Sequence, residues 1–349
     1  MQITSMLAAI LAETGAPLVL DEVELPAQLQ AGQVLVKIDY TGICGSQIGE
    51  IDAVKGPDRF LPHLLGHEGV GTVLEIGPGV TCVHPGQTVV LHWREGRGIA
   101  ARPPVYRWRG QPLNAGWVTT FNTHAIVSEN RLTPIPDDFP RELAPLFGCA
   151  VTTGLGVVQN NAQLKIGESI VILGAGGVGL SMIQAARLTT AHPIVGVDLH
   201  PAKLELAQRL GADLTFNAHD PDWEQQLQAA LPDGADVIIE NTGLPAMIER
   251  AYRLTKPQGR VILVGVPRAG AQISIYSLPL HFGKVLTGSH GGDARPERDI
   301  PACLALLRAG KMDLTPLMTD MLPFHDINQA LSRLRTGQIT GRCVLKMPT

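Results

Sequence analysis

The feature that most restricts the fold of this chain is a glycine-rich turn between an apolar strand and a helix. The stretch SIVIL at Ser169–Leu173 is followed by GAGGVG at residues 174–179, and a helical pattern comes next. Gly174 permits a tight turn, Gly176 lets the backbone approach a pyrophosphate, and Gly179 allows the helix to pack on the strand. The pattern predicts a dinucleotide-binding turn; the alternative is a glycine turn that only joins strand to helix.

Alternating strands and helices continue from this turn to about residue 290. Because such alternation is typical of parallel sheets, it predicts a doubly wound α/β domain. The second strand ends at Asp198, about 20 residues after the motif, where a carboxylate binds the adenosine ribose diol and repels a 2′-phosphate. NAD is therefore favoured over NADP. The expected strands are Ser169–Leu173, Ile194–Asp198, Asp213–Phe216, Val237–Glu240, Arg260–Val264 and Val285–Thr287.

The remainder of the chain lacks this regular alternation of strands and helices. β-Branched residues bounded by Gly and Pro predict short strands before residue 150, and residues 93–117 read as an irregular, Arg-rich excursion. The end of the chain predicts two helices, near Glu297–Ala309 and Asp326–Thr336, and a closing strand at Arg342–Met347. The early strands are expected at Gln33–Tyr40, Val70–Ile76, Gln87–Leu91 and Thr123–Val127.

Composition excludes several classes of protein. A formal net charge of −4 leaves no basic excess to neutralise a nucleic acid. The 5 cysteines are odd in number and irregularly spaced, so they do not form a disulfide framework and they indicate a reducing compartment. The apolar stretch Met6–Ala12 is short and lacks a preceding basic region, and no run is long enough to span a bilayer. We therefore expect a soluble, cytoplasmic protein without a membrane partner.

Three separate patches offer metal ligands. They are GICGS around Cys44, GHEG with His67 and Glu68, and GCA around Cys149. Each patch alone is weak, since an isolated Cys is usually a small buried residue. Together they supply two thiolates, an imidazole and a carboxylate, and two Cys with one His is a known catalytic zinc arrangement with an open position.

The segments TGICGS, GHEGVGTV, GCAVTTG and GAGGVG occur in the order found in the zinc-dependent medium-chain dehydrogenase/reductase family, the alcohol dehydrogenases. The chain resembles this family over nearly its whole length. The resemblance implies an α/β fold with an N-terminal, β-rich GroES-like catalytic domain at residues 1–150 and 289–349. It further implies a Rossmann doubly wound parallel sheet, the NAD-binding domain, at residues 151–288.

The resemblance also assigns roles to individual residues. It implies one zinc held by Cys44, His67 and Cys149, with Glu68 as an alternate ligand. Ser46 would take and pass the hydroxyl proton of the substrate, unless its hydroxyl only caps its own loop. Trp93 would line the substrate pocket, unless it belongs to the core. The implied cofactor contacts are Gly174, Gly176, Gly177, Val178, Gly179, Asp198, Lys203, Val264, Val266 and Arg342.

Three departures from the family pattern matter. No Cys occurs in residues 93–117, where many members bind a structural zinc, so we expect one catalytic zinc per chain. Gln47 stands where the family has Asp; its carbonyl is expected to accept a hydrogen bond from the ligand imidazole but brings no charge, so weaker metal binding is expected. Gly49 stands in place of a relay histidine found in some members. Five arginines within Trp93–Gly110 indicate either an anionic or hydroxylated substrate, or a solvated or subunit-contacting loop.

The sequence thus predicts a zinc- and NAD-dependent oxidoreductase acting on a small molecule, namely a secondary alcohol, a polyol or a sugar-like substrate. Two alternatives stay open: a zinc-free enone or quinone reductase of the same superfamily, and a non-catalytic NAD-binding protein. The family resemblance implies a homodimer or homotetramer.

Overall fold

A computed structural model describes residues 3–348 of the chain, so the outermost residues of the expected first domain, Met1, Gln2 and Thr349, lie outside the described range. The chain divides into two compact units. The first contains Met1–Cys149 and Arg295–Thr349, and the second contains Ala150–Ala294. Within the described range, no helix combines the length and the apolar character needed to cross a membrane.

Strands dominate the chain up to Cys149, in agreement with the β-rich domain expected there. Along β3, Val34 and Val36 pack into the main core of the first unit, whereas Leu35 on the opposite face packs into a second apolar cluster, so this part of the strand is buried on both faces. The elements are β1 (Ser5–Leu11), β2 (Val19–Glu24), β3 (Gln33–Ile43), α1 (Gly45–Ile51), β4 (His63–Leu64), β5 (Glu68–Ile76), β6 (Thr88–His92), β7 (Tyr106–Trp108), β8 (Gln111–Leu113), β9 (His124–Ser128) and β10 (Leu132–Pro134).

Two parts of this segment differ from the sequence expectation. The apolar stretch near the N-terminus forms β1, a buried strand that pairs with β2 and β4. Residues 106–113 are not irregular: β7 and β8 form a hairpin. Arg109 and Gly110 join them with φ of 51° and 76°, as a two-residue turn with both central residues left-handed requires.

The second unit is a parallel sheet with helices, which confirms the Rossmann prediction. Its strand order is β13-β12-β11-β14-β15-β16, and every pairing is parallel. The order reverses between β11 and β14, the position at which such sheets bind ligands. The elements are α2 (Ala150–Gly156), β11 (Ile170–Leu173), α3 (Gly177–Leu188), β12 (Ile194–Asp198), α4 (Pro201–Leu210), β13 (Leu214–Asn217), α5 (Trp223–Ala230), β14 (Ala235–Glu240), α6 (Pro245–Leu254), β15 (Thr255–Leu263) and β16 (Val285–Gly288).

The strand β11 shows why this sheet could be predicted from the sequence. All four of its residues are buried, as expected for a central parallel strand covered on both faces. The strand β15 begins five residues earlier than expected and ends at Leu263, so Val264 lies just beyond it.

The chain returns to the first unit after Ala294. The last strand pairs antiparallel with β3, with Cys343 opposite Ile43. Arg342, the residue before Cys343, is close enough to Cys44 for its charge to act on that thiol. The returning elements are α7 (Pro296–Arg308), β17 (Met318–Pro323), α8 (Ile327–Arg335) and β18 (Arg342–Lys346).

Candidate metal centre and nucleotide-binding turn

Three loops of the first unit bring the predicted ligands together. Cys44 follows β3 and is the N-cap of α1 in an extended conformation. His67 immediately precedes β5, and Cys149 is the last residue of its segment of the unit. The three ligand atoms lie within 4.8 Å of one another. In the part of the chain that the structure describes, no other group of three such residues meets this criterion.

Glycines beside the ligands permit this convergence. Gly66 has a φ of 88°, and a Cβ there would collide with Thr120. At Gly148 a Cβ would lie 2.5 Å from the carbonyl oxygen of Leu91 and 2.7 Å from Cα of Glu68. Because real Cβ atoms do not approach backbone so closely, only glycine lets the segment carrying Cys149 reach the strands beside His67.

The donor set fits a zinc ion. The sulfurs of Cys44 and Cys149 are 4.0 Å apart, and tetrahedral zinc with bonds of ~2.3 Å places two thiolates about 3.8 Å apart. Both cysteines are buried, with 9% and 7% of their surfaces exposed. Nε2 of His67 is buried and, among the described residues, has no hydrogen-bond partner. A buried ring nitrogen beside two thiols and without a protein partner is the arrangement expected of a metal ligand.

The thiols differ in acidity. A hydrogen bond from Cys149 lowers the pKa of the Cys44 thiol well below its usual value, against the effect of burial; the charge of Arg342 and the contact with His67 lower it further. Burial instead raises the pKa of Cys303 and of Cys343 to about 12. A low pKa favours the thiolate that binds metals, whereas buried thiols of high pKa are inert packing residues.

Glu68 is placed differently from the other three predicted ligands. It is fully buried on β5, and one carboxylate oxygen forms an ion pair with Arg342, which is also buried. Its other oxygen has no partner in the described residues. Glu68 therefore lies outside the three-residue cluster, with Arg342 on one of its two carboxylate oxygens. Arg342, expected at the cofactor pyrophosphate, forms this buried ion pair in the structure.

Gln47 contacts two of the predicted ligands. Its side chain is 1% exposed. The carbonyl Oε1 accepts a hydrogen bond of 2.9 Å from the backbone N–H of Cys44, and the amide Nε2 lies against Nδ1 of His67. The expectation that the carbonyl accepts a bond from the imidazole is wrong, because the capping box of α1 already uses this oxygen. The spacing Cys44-x-x-Gln47 is that of a capping box, and this pattern in the sequence could have predicted the bond from Gln47 to Cys44.

Ser46 and Trp93 flank the cluster in the first unit. Ser46 is exposed on the first turn of α1. Trp93 follows β6, is partly buried, and donates its backbone N–H to the carbonyl of Gly148 at 3.4 Å. Trp93 directly follows His92, which pairs with Glu68 across the β5–β6 ladder.

Two of the five arginines in the Arg-rich segment have identified partners within the first unit. Arg109 of the β7–β8 turn donates to Asp21 at 2.9 Å and lies over the ring of Trp108. Arg107 donates to the carbonyl of Gly110 at 2.8 Å. Because these two arginines bind groups at or beside the hairpin, their part of the segment favours the solvated or subunit-contacting loop over substrate recognition.

The glycine turn of the second unit has the geometry expected of a phosphate-binding site. Gly174 has a φ of 99°. Gly176 is the N-cap of α3, and nothing lies within 4 Å of a Cβ added there. At Gly179 a Cβ would collide with the carbonyl oxygen of Gly174. An open N-terminus of a helix leaves backbone N–H groups available to an anion.

Asp198 braces this turn. Its carboxylate accepts a bond of 2.8 Å from the N–H of Ala175 and one of 3.0 Å from the N–H of His200. Lys203 lies on the first turn of α4 and is partly buried. The structure thus places Asp198 against the glycine loop, where each of its oxygens keeps further accepting capacity.

The loops after β14 and β15 carry the remaining predicted cofactor positions. Val264 donates its N–H to the carbonyl of Glu240 at 2.8 Å, and Val266 is 60% exposed. Glu240, which the sequence analysis overlooked, is fully buried, and its carboxylate accepts the N–H groups of Thr242 and Gly243. It therefore shapes the loop beside Val266.

Together, the Cys–His–Cys cluster in a β-rich unit and a Rossmann unit with a glycine turn define a zinc- and nucleotide-dependent dehydrogenase. Residues 30–137 match the family model for the alcohol dehydrogenase GroES-like domain, and residues 177–309 match that for a zinc-binding dehydrogenase. An S-(hydroxymethyl)glutathione dehydrogenase of Paracoccus denitrificans is 30% identical over 381 aligned positions, which cover 97% of this chain and 99% of that protein. A class-3 alcohol dehydrogenase of Cereibacter sphaeroides is 31% identical over 368 positions, covering 95% and 97%.

Solved structures agree with these relatives. A benzyl alcohol dehydrogenase from Acinetobacter calcoaceticus superposes with a TM-score of 0.89 at 29% identity, covering 99% of this chain and 100% of that one. An alcohol dehydrogenase zinc-binding domain protein from Burkholderia ambifaria gives a TM-score of 0.91 at 28% identity, with 99% of each chain covered. The chain belongs to the zinc-dependent medium-chain alcohol dehydrogenase family. It is accordingly an oxidoreductase of small-molecule alcohols, with zinc and NAD as its cofactors.

Proposed function

We propose that Cys44, His67 and Cys149 would hold one catalytic zinc per chain. The observation that best supports this proposal is the clustering of the three residues. Their two sulfurs are 4.0 Å apart, and Nε2 of His67 has no hydrogen-bond partner among the described residues. When bound, zinc supplies Lewis acidity that favours loss of the hydroxyl proton from an alcohol. The zinc-free reductase alternative leaves the convergence of these three residues unexplained.

The chain's own residues perform the remaining tasks. Ser46, exposed two residues after Cys44, takes the hydroxyl proton and passes it towards solvent. Trp93 supplies an apolar wall for the substrate, since its backbone is bonded to the residue before Cys149. Glu68 is the proposed alternate ligand; Arg342 pairs with one of its carboxylate oxygens, and the other has no partner among the described residues.

The second unit binds NAD and presents the nicotinamide for hydride transfer. In this proposal the N-terminus of α3 binds the pyrophosphate, and Asp198 accepts hydrogen bonds from the adenosine ribose diol with Lys203 nearby. Val264 and Val266 line the nicotinamide pocket, and Arg342 contributes a positive charge to the pyrophosphate. The turn residues involved are Gly174, Gly176, Gly177, Val178 and Gly179.

We assign residues 1–150 and 289–349 to the catalytic domain and residues 151–288 to the NAD-binding domain. The substrate is proposed to be a secondary alcohol, a polyol or a sugar-like alcohol. Because named relatives are a benzyl alcohol dehydrogenase and an S-(hydroxymethyl)glutathione dehydrogenase, an aromatic alcohol and that glutathione adduct belong in the same screen. We further propose a cytoplasmic homodimer or homotetramer, which light scattering would contradict by showing a monomer at working concentration.

The test is NAD reduction across this panel by protein with a measured zinc content. Cys44→Ser and Cys149→Ser should each lose most of the zinc and the activity together. Cys303→Ser is the matched control, since Cys303 is buried in the same unit but belongs to no ligand group. Zinc and activity unchanged in both ligand variants would refute the proposed site.

A further inference from the structure

The side-chain amide of Gln47 contacts both Cys44 and the imidazole of His67. The direction of these two hydrogen bonds determines which tautomer of His67 the protein favours. The amide of Gln47 faces the backbone N–H of Cys44 through Oε1 and Nδ1 of His67 through Nε2. A backbone N–H can only donate, so the carbonyl oxygen must face Cys44. The amide NH₂ is therefore the group presented to the imidazole, and it too can only donate.

The tautomer of His67 follows from this arrangement. Because NH₂ donates to Nδ1, Nδ1 must be the unprotonated nitrogen of the neutral ring, and the proton resides on Nε2. A metal bound at Nε2 needs the opposite tautomer, with the lone pair on Nε2 and the proton on Nδ1. In that state Gln47 presents a donor to a donor.

Rotation of the amide does not remove the conflict. Turning it by half a revolution brings Oε1 to the protonated Nδ1, but it places NH₂ against the N–H of Cys44. Gln47 is buried, and its backbone is fixed in the first turn of α1 by the bond from its N–H to the carbonyl of Cys44. Water cannot easily satisfy the group left unpaired, and an unpaired buried donor is costly.

We propose that Gln47 is a positioning residue that weakens zinc binding, because its amide matches the metal-free tautomer of His67 and mismatches the metal-bound one. A carboxylate at this position removes the mismatch, since one oxygen accepts from Cys44 and the other accepts from Nδ1–H. Glu is also a favoured residue at this position of a capping box, so the replacement keeps the helix start. The inference rests on the proposed zinc site at Cys44, His67 and Cys149.

The experiment is a zinc competition titration against a chromogenic chelator with wild type, Gln47→Glu and Gln47→Leu. Gln47→Glu is expected to lower the zinc Kd by about 10- to 100-fold, the usual effect of a partner that orients a ligand histidine. Gln47→Leu removes the clash but leaves Cys44 N–H and Nδ1–H unpaired, so it should bind no more tightly than wild type. Gln338→Glu adds the same charge at an exposed position of the same unit and should leave Kd unchanged.

Nitrogen-15 NMR of the metal-free wild type provides a second readout that needs no variant to fold. The His67 ring, assigned by its absence in His67→Gln, should show a protonated Nε2 and an unprotonated Nδ1. A protonated Nδ1, or a Gln47→Glu protein that binds zinc no more tightly than wild type, overturns the inference. Failure of the wild type to bind zinc at all instead refutes the proposed site.

Discussion

The ion pair of Glu68 with Arg342 offers the perturbation whose cost follows most directly from the structure. Glu68 is 0% exposed and Arg342 is 5% exposed, so neither charge can return to water when its partner is removed. Glu68→Gln keeps the shape of the side chain but leaves a guanidinium buried without its carboxylate. Arg342→Met removes the positive charge and leaves the carboxylate alone.

Breaking a buried pair on one side costs about 3–5 kcal/mol. In a folded unit of this size, 1 kcal/mol shifts Tm by roughly 2–4 °C, so each single variant should lose about 6–20 °C. The double variant Glu68→Gln with Arg342→Met restores neutrality and should recover most of the loss, since replacing both partners of a buried pair is often nearly neutral.

The assay is a double-mutant cycle measured by thermal unfolding of metal-free protein, so that changes in zinc binding do not contribute. Two results would refute the reasoning. One is a loss below about 1 kcal/mol for both single variants, as for a surface pair. The other is a double variant whose loss equals the sum of the two single losses.

Three further predictions follow. Gly148→Ala should destabilise the fold by about 1–3 kcal/mol and reduce zinc content, because its Cβ would lie 2.5 Å from a carbonyl oxygen; Gly45→Ala, with open space around it, is the control, and equal melting curves would contradict the steric argument. Asp198→Asn should raise the ratio of kcat/KM for NADP over NAD by at least about tenfold, since repulsion of the 2′-phosphate is lost; an unchanged ratio would remove Asp198 from the ribose site. Burial lowers the pKa of His92 in the folded protein to about 4, whereas the pKa in the unfolded chain is near 6.5. Between these two values the unfolded chain binds a proton that the folded protein does not. The free energy of unfolding is therefore highest above pH 6.5 and falls as the pH is lowered towards 4. This amounts to about 3 kcal/mol, and His92→Gln should flatten the acid limb of a Tm-against-pH curve over that range; an unchanged limb would assign the acid sensitivity to another group.

The Rossmann unit was predictable because its signals are local. A buried parallel strand, a glycine turn and the start of a helix are contiguous in GAGGVG and its flanks, and each residue there is restricted by backbone conformation or by close approach. The positive φ of Gly174 and the near collision of a Cβ at Gly179 with the same turn are the physical basis of the motif. Asp198 could be placed because the strand that carries it pairs with the strand before the turn.

The metal centre was predictable only in its donors. Cys44, His67 and Cys149 were recognisable as residue types in glycine-flanked segments, but their environment depends on pairings that are distant in the sequence. Arg342 reaches Glu68 because β18 adds to β3, a register that no short-range pattern encodes. The direction of the Gln47 amide depends on competition between a helix cap and an imidazole for one oxygen, which only the geometry resolves.

The most direct test of the central claim is the zinc content per chain of purified protein, measured by mass spectrometry of the metal alongside protein concentration. The account predicts one zinc per chain in wild type and in Cys303→Ser, and a large loss in Cys44→Ser and Cys149→Ser. A wild type that holds no zinc after exposure to it, or ligand variants that retain the full amount, would contradict the account.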